Sequence, residues 1–393
     1  MSARRVAVVG SGTRFLSGIS VYTIRLANAL AETERTSVVT MRQLLPTRLY
    51  PGRIRVGSQL THLARHPRLR VFDGIDWYWL PSMLRAAAFL ARERPRFMIM
   101  QWWTGTVLHS YLGLAILARM MGTRVIVEFH EVLDTGEARI PAARLYVGVL
   151  APVMMRLASA FAVHSAFDRE LLAGRYSLHG RPVRVLPHGP HDHYQPEEGA
   201  SSERLREAPE DACNILFFGV IRPYKGLEDL VAAFDSIAPS EIARYWLTVV
   251  GETWEGWDLP AQRIAASRYR ERITFVNRYV HDRELDGHLL GADVVALPYH
   301  RSSLSGPLHV AMGYGLPILM SDVGGNAEAA EGYEGIVLVP PRDPEALREG
   351  LQRAADLRGR RFSHPQSWAN TAHAYQALFR ELEVGRSAAP APR

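Results

Sequence analysis

Two cations stand three residues apart in the stretch FFGVIRPYKGLEDLVAAF (217–234), where Arg222 and Lys225 follow an apolar run ending at Gly219 and precede an amphipathic run opening at Gly226. A guanidinium and an ammonium beside a helix start can hold a diphosphate: Arg binds two oxygens at once, Lys acts as a point charge, and the first-turn N–H groups add to both. Surface cations are ordinarily just solvated, but a place between a strand and a helix favours the anion site. A second stretch, LPYHRSSLSGPLHVAMGYGLPILMSDVGG (297–325), runs an apolar segment into a hydroxyl-rich loop, a short helix and another apolar segment. There the Ser305 hydroxyl and the backbone N–H groups of Gly306 and Leu308 form a candidate sugar and phosphate loop around Pro307. His130, in VIVEFHEVLD, ends an apolar run beside Glu131. A lone histidine is more often structural, yet one at a strand end beside a carboxylate points to a site.

These residues must be positioned by something regular. Apolar, β-branched runs recur with helical patterns between them, as expected for βα units around a parallel sheet covered on both faces. The first half has the strand candidates RVAVVG, SVVTM, FMIMQ, RVIVEFH, AFAVHS and VRVLPHG; the second has NILFFG, YWLTVVG, ITFVN, DVVALPY, LPILMSD and GIVLVP. Between them lies YQPEEGASSERLREAPEDA (194–212), polar, without apolar period, and read as a linker. Each half is therefore predicted to be one doubly wound α/β domain, with ligand bound where strand carboxyl ends meet across a cleft. The first domain is placed at 1–195, the linker at 196–212, the second domain at 213–365, a helix packing back on the first domain at 366–384, and a disordered tail at 385–393.

The 393 residues carry a net charge of +6, and 47% are hydrophobic, which suits a folded chain of two domains. The single cysteine, Cys213, excludes an internal disulfide. The N-terminal apolar run is too short for a signal peptide, and no run reaches the ~18 apolar residues of a spanning helix. A cytoplasmic protein is expected. Basic runs such as LARHPRLR and LARERPRF, set among apolar and aromatic residues, would suit the anionic inner face of the plasma membrane, or simply form a solvated face. No nucleic-acid motif is present. After the first strand, GSGTRFLSGIS supplies Gly10 and Gly12 but no glycine three residues on, nor the later acidic residue, so the dinucleotide fingerprint fails. The break at Ser17 and Gly18 instead permits close ligand approach at a helix start, or a simple tight turn.

The segments FFGVIRPYKGLEDLVAAF, DVVALPY, GYGLPILMSDVGGNAE and GIVLVPPRDPEALREGL occur in the order and spacing of the C-terminal domain of GT-B glycosyltransferases, and resemble the large retaining family 4. The first half is similar through the Ser17-Gly18 loop, EFHE and VRVLPHGPHDHY, more loosely. This resemblance implies a GT-B fold, two Rossmann-like domains facing across a cleft. A nucleotide-activated sugar would sit mainly on the second domain and a glycan, lipid-linked or small-molecule acceptor on the first. Arg222 and Lys225 would neutralise the diphosphate, so that neither metal nor other cofactor is needed. Tyr279 and Val280 would lie where the backbone reads the base, His130 would contact the donor sugar, and Gly18, Gly219, Gly324, Gly325 and Glu328 would line the donor. No acceptor residue is assigned. His188, His191, Asp192 and His193 are assigned to loop contacts and packing instead of a metal. The family's two glutamates, eight residues apart, fall at Ser302 and Val310, so both carboxylates are absent. Retaining transfer would then proceed by front-side attack; the alternative is a scaffold that binds a nucleotide sugar or a partner enzyme without turnover.

Overall fold

The computed structural model describes residues 3–12, 18–43, 64–76, 80–105, 108–132, 141–191, 203–253, 257–302 and 305–384. The chain divides into two compact units, Met1–Gly189 with Gln366–Arg393, and Pro190–Pro365.

The first unit holds β1 (Arg5–Ser11), α1 (Gly18–Ala31), β2 (Arg35–Gln43), β3 (Arg70–Asp76), α2 (Leu80–Glu93), β4 (Phe97–Trp102), α3 (Leu108–Met120), β5 (Arg124–Phe129), α4 (Pro141–Leu157), β6 (Ala160–Val163), α5 (Ala166–Arg175) and β7 (Val183–Val185). The seven strands form one parallel sheet in the order β3-β2-β1-β4-β5-β6-β7. Successive side chains of a strand face opposite ways, and the core follows suit. Val6, Val8, Phe97 and Ile99 pack with α1, while Ala7, Val9, Met98 and Met100 pack with α2, α3 and α4. Burial on both faces is why these runs are apolar throughout. The edge strand β3 was not among the expected strands. Its segment RVFDGID carries Asp73 and Gly74 and is only partly covered, so the apolar run that marks the central strands is missing.

The second unit holds β8 (Cys213–Phe218), α6 (Leu227–Asp235), β9 (Tyr245–Val250), α7 (Leu259–Ala265), β10 (Ile273–Val276), α8 (Asp282–Gly291), β11 (Val294–Leu297), α9 (Gly306–Gly313), β12 (Ile318–Ser321), α10 (Asn326–Ala329), β13 (Ile336–Val339) and α11 (Pro344–Ala355). Its sheet is parallel, in the order β10-β9-β8-β11-β12-β13. Residues 203–212, expected as linker, lie in this unit: the Leu205 N–H donates to Gly287 O at 2.9 Å, and the Arg206 guanidinium reaches Gly291 O at 2.8 Å and Asp293 Oδ2 at 2.9 Å. Arg206 is nearly buried, so a charge that reads as solvated in the sequence serves as an anchor. Residues 196–202 of that expected linker and the tail 385–393 lie outside the described residues.

The final helix, α12 (Trp368–Val384), belongs to the first unit. Phe379 stacks on Phe97 with centroids 4.4 Å apart, and Arg4 bridges Glu34 and Glu383. In each unit the strand order reverses beside the first strand, between β1 and β4 and between β8 and β11. The carboxyl ends of those strands are where open α/β sheets take ligands.

Candidate functional site

In the second unit, β8 ends and the chain turns at Gly219, with φ 97°. A Cβ there would lie 3.1 Å from Lys225 Nζ and 3.8 Å from Pro307 Cγ, so the ammonium sits over bare backbone beside the first turn of α9. Lys225 is carried there by one 3-10 turn, Pro223–Lys225, which ends on Gly226 at φ 65°. A Cβ at Gly226 would come within 1.9 Å of Pro298 O, so only glycine brings this loop against the end of β11. The ammonium lies 5.4 Å from the centroid of Tyr299. Burial, and then the charge of Arg222, push the Lys225 ammonium down to about 7. A desolvated cation of this kind gains most from an anion.

Helix α9 is capped by Ser305, whose Oγ accepts the Leu308 N–H at 3.2 Å. The cap engages the Leu308 N–H, one of the expected ligand donors, because an N-cap hydroxyl satisfies that amide locally. Pro307 has no N–H to give. The loop after β11 is pinned by His300, whose Nε2 lies 2.7 Å from Asp229 Oδ2 while its N–H donates to Tyr224 O at 2.7 Å. Ser302 is half-buried, and Val310 is buried within an apolar cluster with Leu308, Ala311 and Met312. Tyr279, after β10, is half-buried with its ring edge-on to His281 at 5.5 Å, and Val280 packs on the edge of the same cluster. After β12, Gly324 turns at φ 57°, Gly325 precedes α10, and Glu328 is exposed. Among the described residues the buried Asn326 side chain has no hydrogen-bond partner at either Oδ1 or Nδ2. His191, His309 and His364 form a stack with successive centroids 6.0 Å apart, and burial, then His364, lower His191 to about 4. Asp192, His193 and Ser17 lie outside the described residues.

In the first unit, Gly18 opens α1 at an exposed position. One turn on, the Tyr22 hydroxyl donates to Glu128 Oε1 at 2.6 Å. Glu128 is fully buried on β5, and its Oε2 accepts from Gln101 Nε2, while Gln101 Oε1 meets His130 Nε2. His164, after β6, places Nε2 3.4 Å from Glu128 Oε1 and Nδ1 3.1 Å from Leu186 O. Tyr22 packs edge-on against His130, centroids 4.6 Å apart, and against Trp368 of α12 at 5.1 Å. Burial and then Glu128 hold the Tyr22 hydroxyl far above its ordinary range, so it remains a donor. His188 is buried beside the same tyrosine, its centroid 4.5 Å away.

The structure thus gathers Gly219, Lys225 and Pro307 in the second unit and seats His130 in a buried polar cluster in the first. Ligand atoms of Glu128, His130 and His164 lie within 4.8 Å of one another, a grouping that sequence spacing does not show. Each oxygen of Glu128 accepts a hydrogen bond, from Tyr22 and from Gln101, which ties the cluster into a hydrogen-bond network. Tyr22, Gln101, Glu128, His164, His300 and Asn326 were missed from sequence. Glu128 alone left a signal, a carboxylate in the otherwise apolar run RVIVEFH.

Two family models match the chain, "Glycosyl transferase 4-like domain" over residues 17–211 and "Glycosyl transferases group 1" over 212–356. A D-inositol 3-phosphate glycosyltransferase of Geodermatophilus obscurus is 26% identical over 389 residues, covering 92% of this chain and 84% of its own. Among solved structures, a sucrose-phosphate synthase from Thermosynechococcus elongatus aligns with a TM-score of 0.63 at 19% identity, covering 98% of both chains. HepE of Anabaena, solved in complex with UDP and glucose, aligns with a TM-score of 0.60 at 16% identity, covering 98% of this chain and 100% of its own.

Proposed function

The chain belongs to the group 1 glycosyltransferases of GT-B fold, and from that premise we propose that it transfers a sugar from a nucleoside diphosphate donor to an acceptor hydroxyl with retention of configuration. The observation that carries this reading is the buried Lys225 ammonium, held over Gly219 beside the first turn of α9. There Lys225 and Arg222 take the leaving diphosphate, with Ser305 and Gly306 at the start of α9, and Gly324, Gly325 and Glu328 beyond β12. The base lies near Tyr279 and Val280, and His130 faces the sugar. UDP in the related HepE structure supports a uridine donor, and the cyclitol phosphate named for the Geodermatophilus relative supports a polyhydroxylated acceptor. With Val310 buried among apolar side chains and Ser302 in place of the other family glutamate, no carboxylate nucleophile is invoked. The acceptor oxygen attacks the face from which the diphosphate leaves, and a departing phosphate oxygen takes its proton. The rate then depends on orientation and on charge stabilisation by Arg222 and Lys225. No metal or other cofactor enters this scheme.

The test is a panel of sugar nucleotides read by thermal shift and by release of nucleoside diphosphate, with Lys225→Ala as control. Stabilisation and release by one donor, both lost in the control, are expected. Binding without release in the presence of acceptors would leave a scaffold.

No helix of the described residues is long and apolar enough to cross a membrane. The reading places the protein in the cytoplasm, with the first unit meeting an anionic bilayer at its surface. Helices α2, α3 and α4 cover one sheet face, and apolar residues recur on their outer sides at four-residue spacing: Leu80 and Leu84, Ile116 and Met120, Leu145 and Val149. Met120 is 79% exposed and Leu145 70%. The exposed Arg85, Arg119 and Arg144 on the same helices match acidic headgroups. Cosedimentation with phosphatidylglycerol vesicles but not with phosphatidylcholine vesicles is expected, and absence of binding to both would overturn this surface.

A further inference from the structure

We infer that Glu128, acting through Gln101, fixes the proton of His130 on Nε2, and so is a positioning residue for the transfer. The inference rests on the reading of His130 as the group that faces the donor sugar. It comes from counting donors and acceptors around one buried carboxylate. Glu128 is fully buried, and an ionised carboxylate can only accept. The Tyr22 hydroxyl donates to Oε1 at 2.6 Å, and Gln101 meets Oε2. A glutamine side chain has one donating and one accepting end. With its NH2 directed to Glu128, the end left for His130 Nε2 is the amide oxygen, which can only accept. His130 Nε2 must therefore carry hydrogen. The reversed amide would oppose two oxygens in a dry site, an arrangement that costs the full desolvation of both.

His164 packs against the same carboxylate from the other side. Its Nδ1 lies 3.1 Å from Leu186 O, a pure acceptor, so Nδ1 is protonated, and Nε2 faces Glu128 Oε1 at 3.4 Å. Tyr22, Gln101 and His164 come from α1 and the ends of β4 and β6, and Tyr375 of α12 also faces the carboxylate, so groups from several elements gather around it. When the His130 ring is neutral, Nδ1 is then its accepting nitrogen, and the orientation of an imidazole with one defined tautomer is set before the sugar arrives.

The wiring makes a prediction that a merely structural carboxylate does not. In Glu128→Gln the new amide donates to Gln101 Oε1, Gln101 turns its NH2 to His130, and the imidazole proton moves to Nδ1. Nitrogen NMR of 15N-histidine-labelled protein should report that tautomer change, and kcat should fall about tenfold or more while KM for the donor stays within about twofold. Gln101→Leu breaks the link and leaves Glu128 with Tyr22; it should release the tautomer and lower kcat alike, and it decides the matter if Glu128→Gln fails to fold. An unmoved tautomer in the folded variants overturns the inference, whether or not kcat falls. If His130→Ala keeps full turnover, the reading of His130 fails instead, which the tautomer measurement alone would not show.

Discussion

The two units share a parallel doubly wound sheet and place their polar groups at the same ends of their strands, yet their chemistry is of opposite sign. In the second unit, the Lys225 ammonium stands over glycine backbone beside a helix start, and Val310 is buried among apolar side chains. In the first, a carboxylate is buried and held by a hydroxyl and an amide donor. The difference shows what each arrangement can do. An exposed-backbone cradle with a destabilised ammonium is completed by an incoming anion. A buried carboxylate held by donors from separate elements orders its neighbours.

The contrast breaks most readily at Lys225. Replacement by methionine is expected to lower kcat/KM by about 10²–10³, the scale of losing one preorganised group on a developing charge, and to abolish UDP binding by calorimetry. Equal UDP affinity in that variant would remove the anion cradle from the argument. Tyr22→Phe tests the other side: it deletes a donor to a buried carboxylate and should cost about 2 kcal/mol in urea unfolding while leaving UDP affinity unchanged. A fall in UDP affinity would show that the two networks are not independent.

A subtler handle is pH. Lys225 sits at about 7 without ligand, and a diphosphate favours its charged form and raises it. Binding above pH 7 should therefore take up a proton, and affinity should weaken by up to about tenfold per pH unit as pH rises beyond 7. Calorimetry at pH 8 in buffers of different ionisation heat measures that proton directly. The smallest effect concerns His191, lowered to about 4 by burial and His364. The unfolded chain binds its proton near 6.5 and the folded chain only near 4, so this contribution is complete above 6.5 and is lost as pH falls toward 4. His191→Phe should recover about 1 kcal/mol at pH 6 relative to pH 8, read as a flatter Tm profile.

The second unit was the more legible of the two. Its six apolar runs are all strands, because strands covered on both faces carry no polar alternation to confuse them. The Arg222-Lys225 pair was visible for a similar reason, as its residues are close in the chain and bounded by glycines. The network around Glu128 was not, since Tyr22, Gln101, Glu128 and His164 come from four elements and meet only through sheet order. The strand β3 was lost because an edge strand need not be apolar. Residues 203–212 were read as linker from composition, whereas Gly287 and Gly291 on α8 let that segment lie close: a Cβ at Gly291 would fall 2.0 Å from Leu205 O.

Placement of α12 against Phe97 and Arg4 bears on the order in which the molecule is made. The second unit is one continuous stretch, Pro190–Pro365, complete once that length has left the ribosome. The first needs residues on both sides of that stretch, and Phe97 and Tyr22 gain their contacts with Phe379 and Trp368 only once α12 has been made. Domains that fold during synthesis usually finish N-terminal first. Here the later unit is finished before the earlier one, and a stop codon anywhere before Trp368 damages the half of the protein that was translated first.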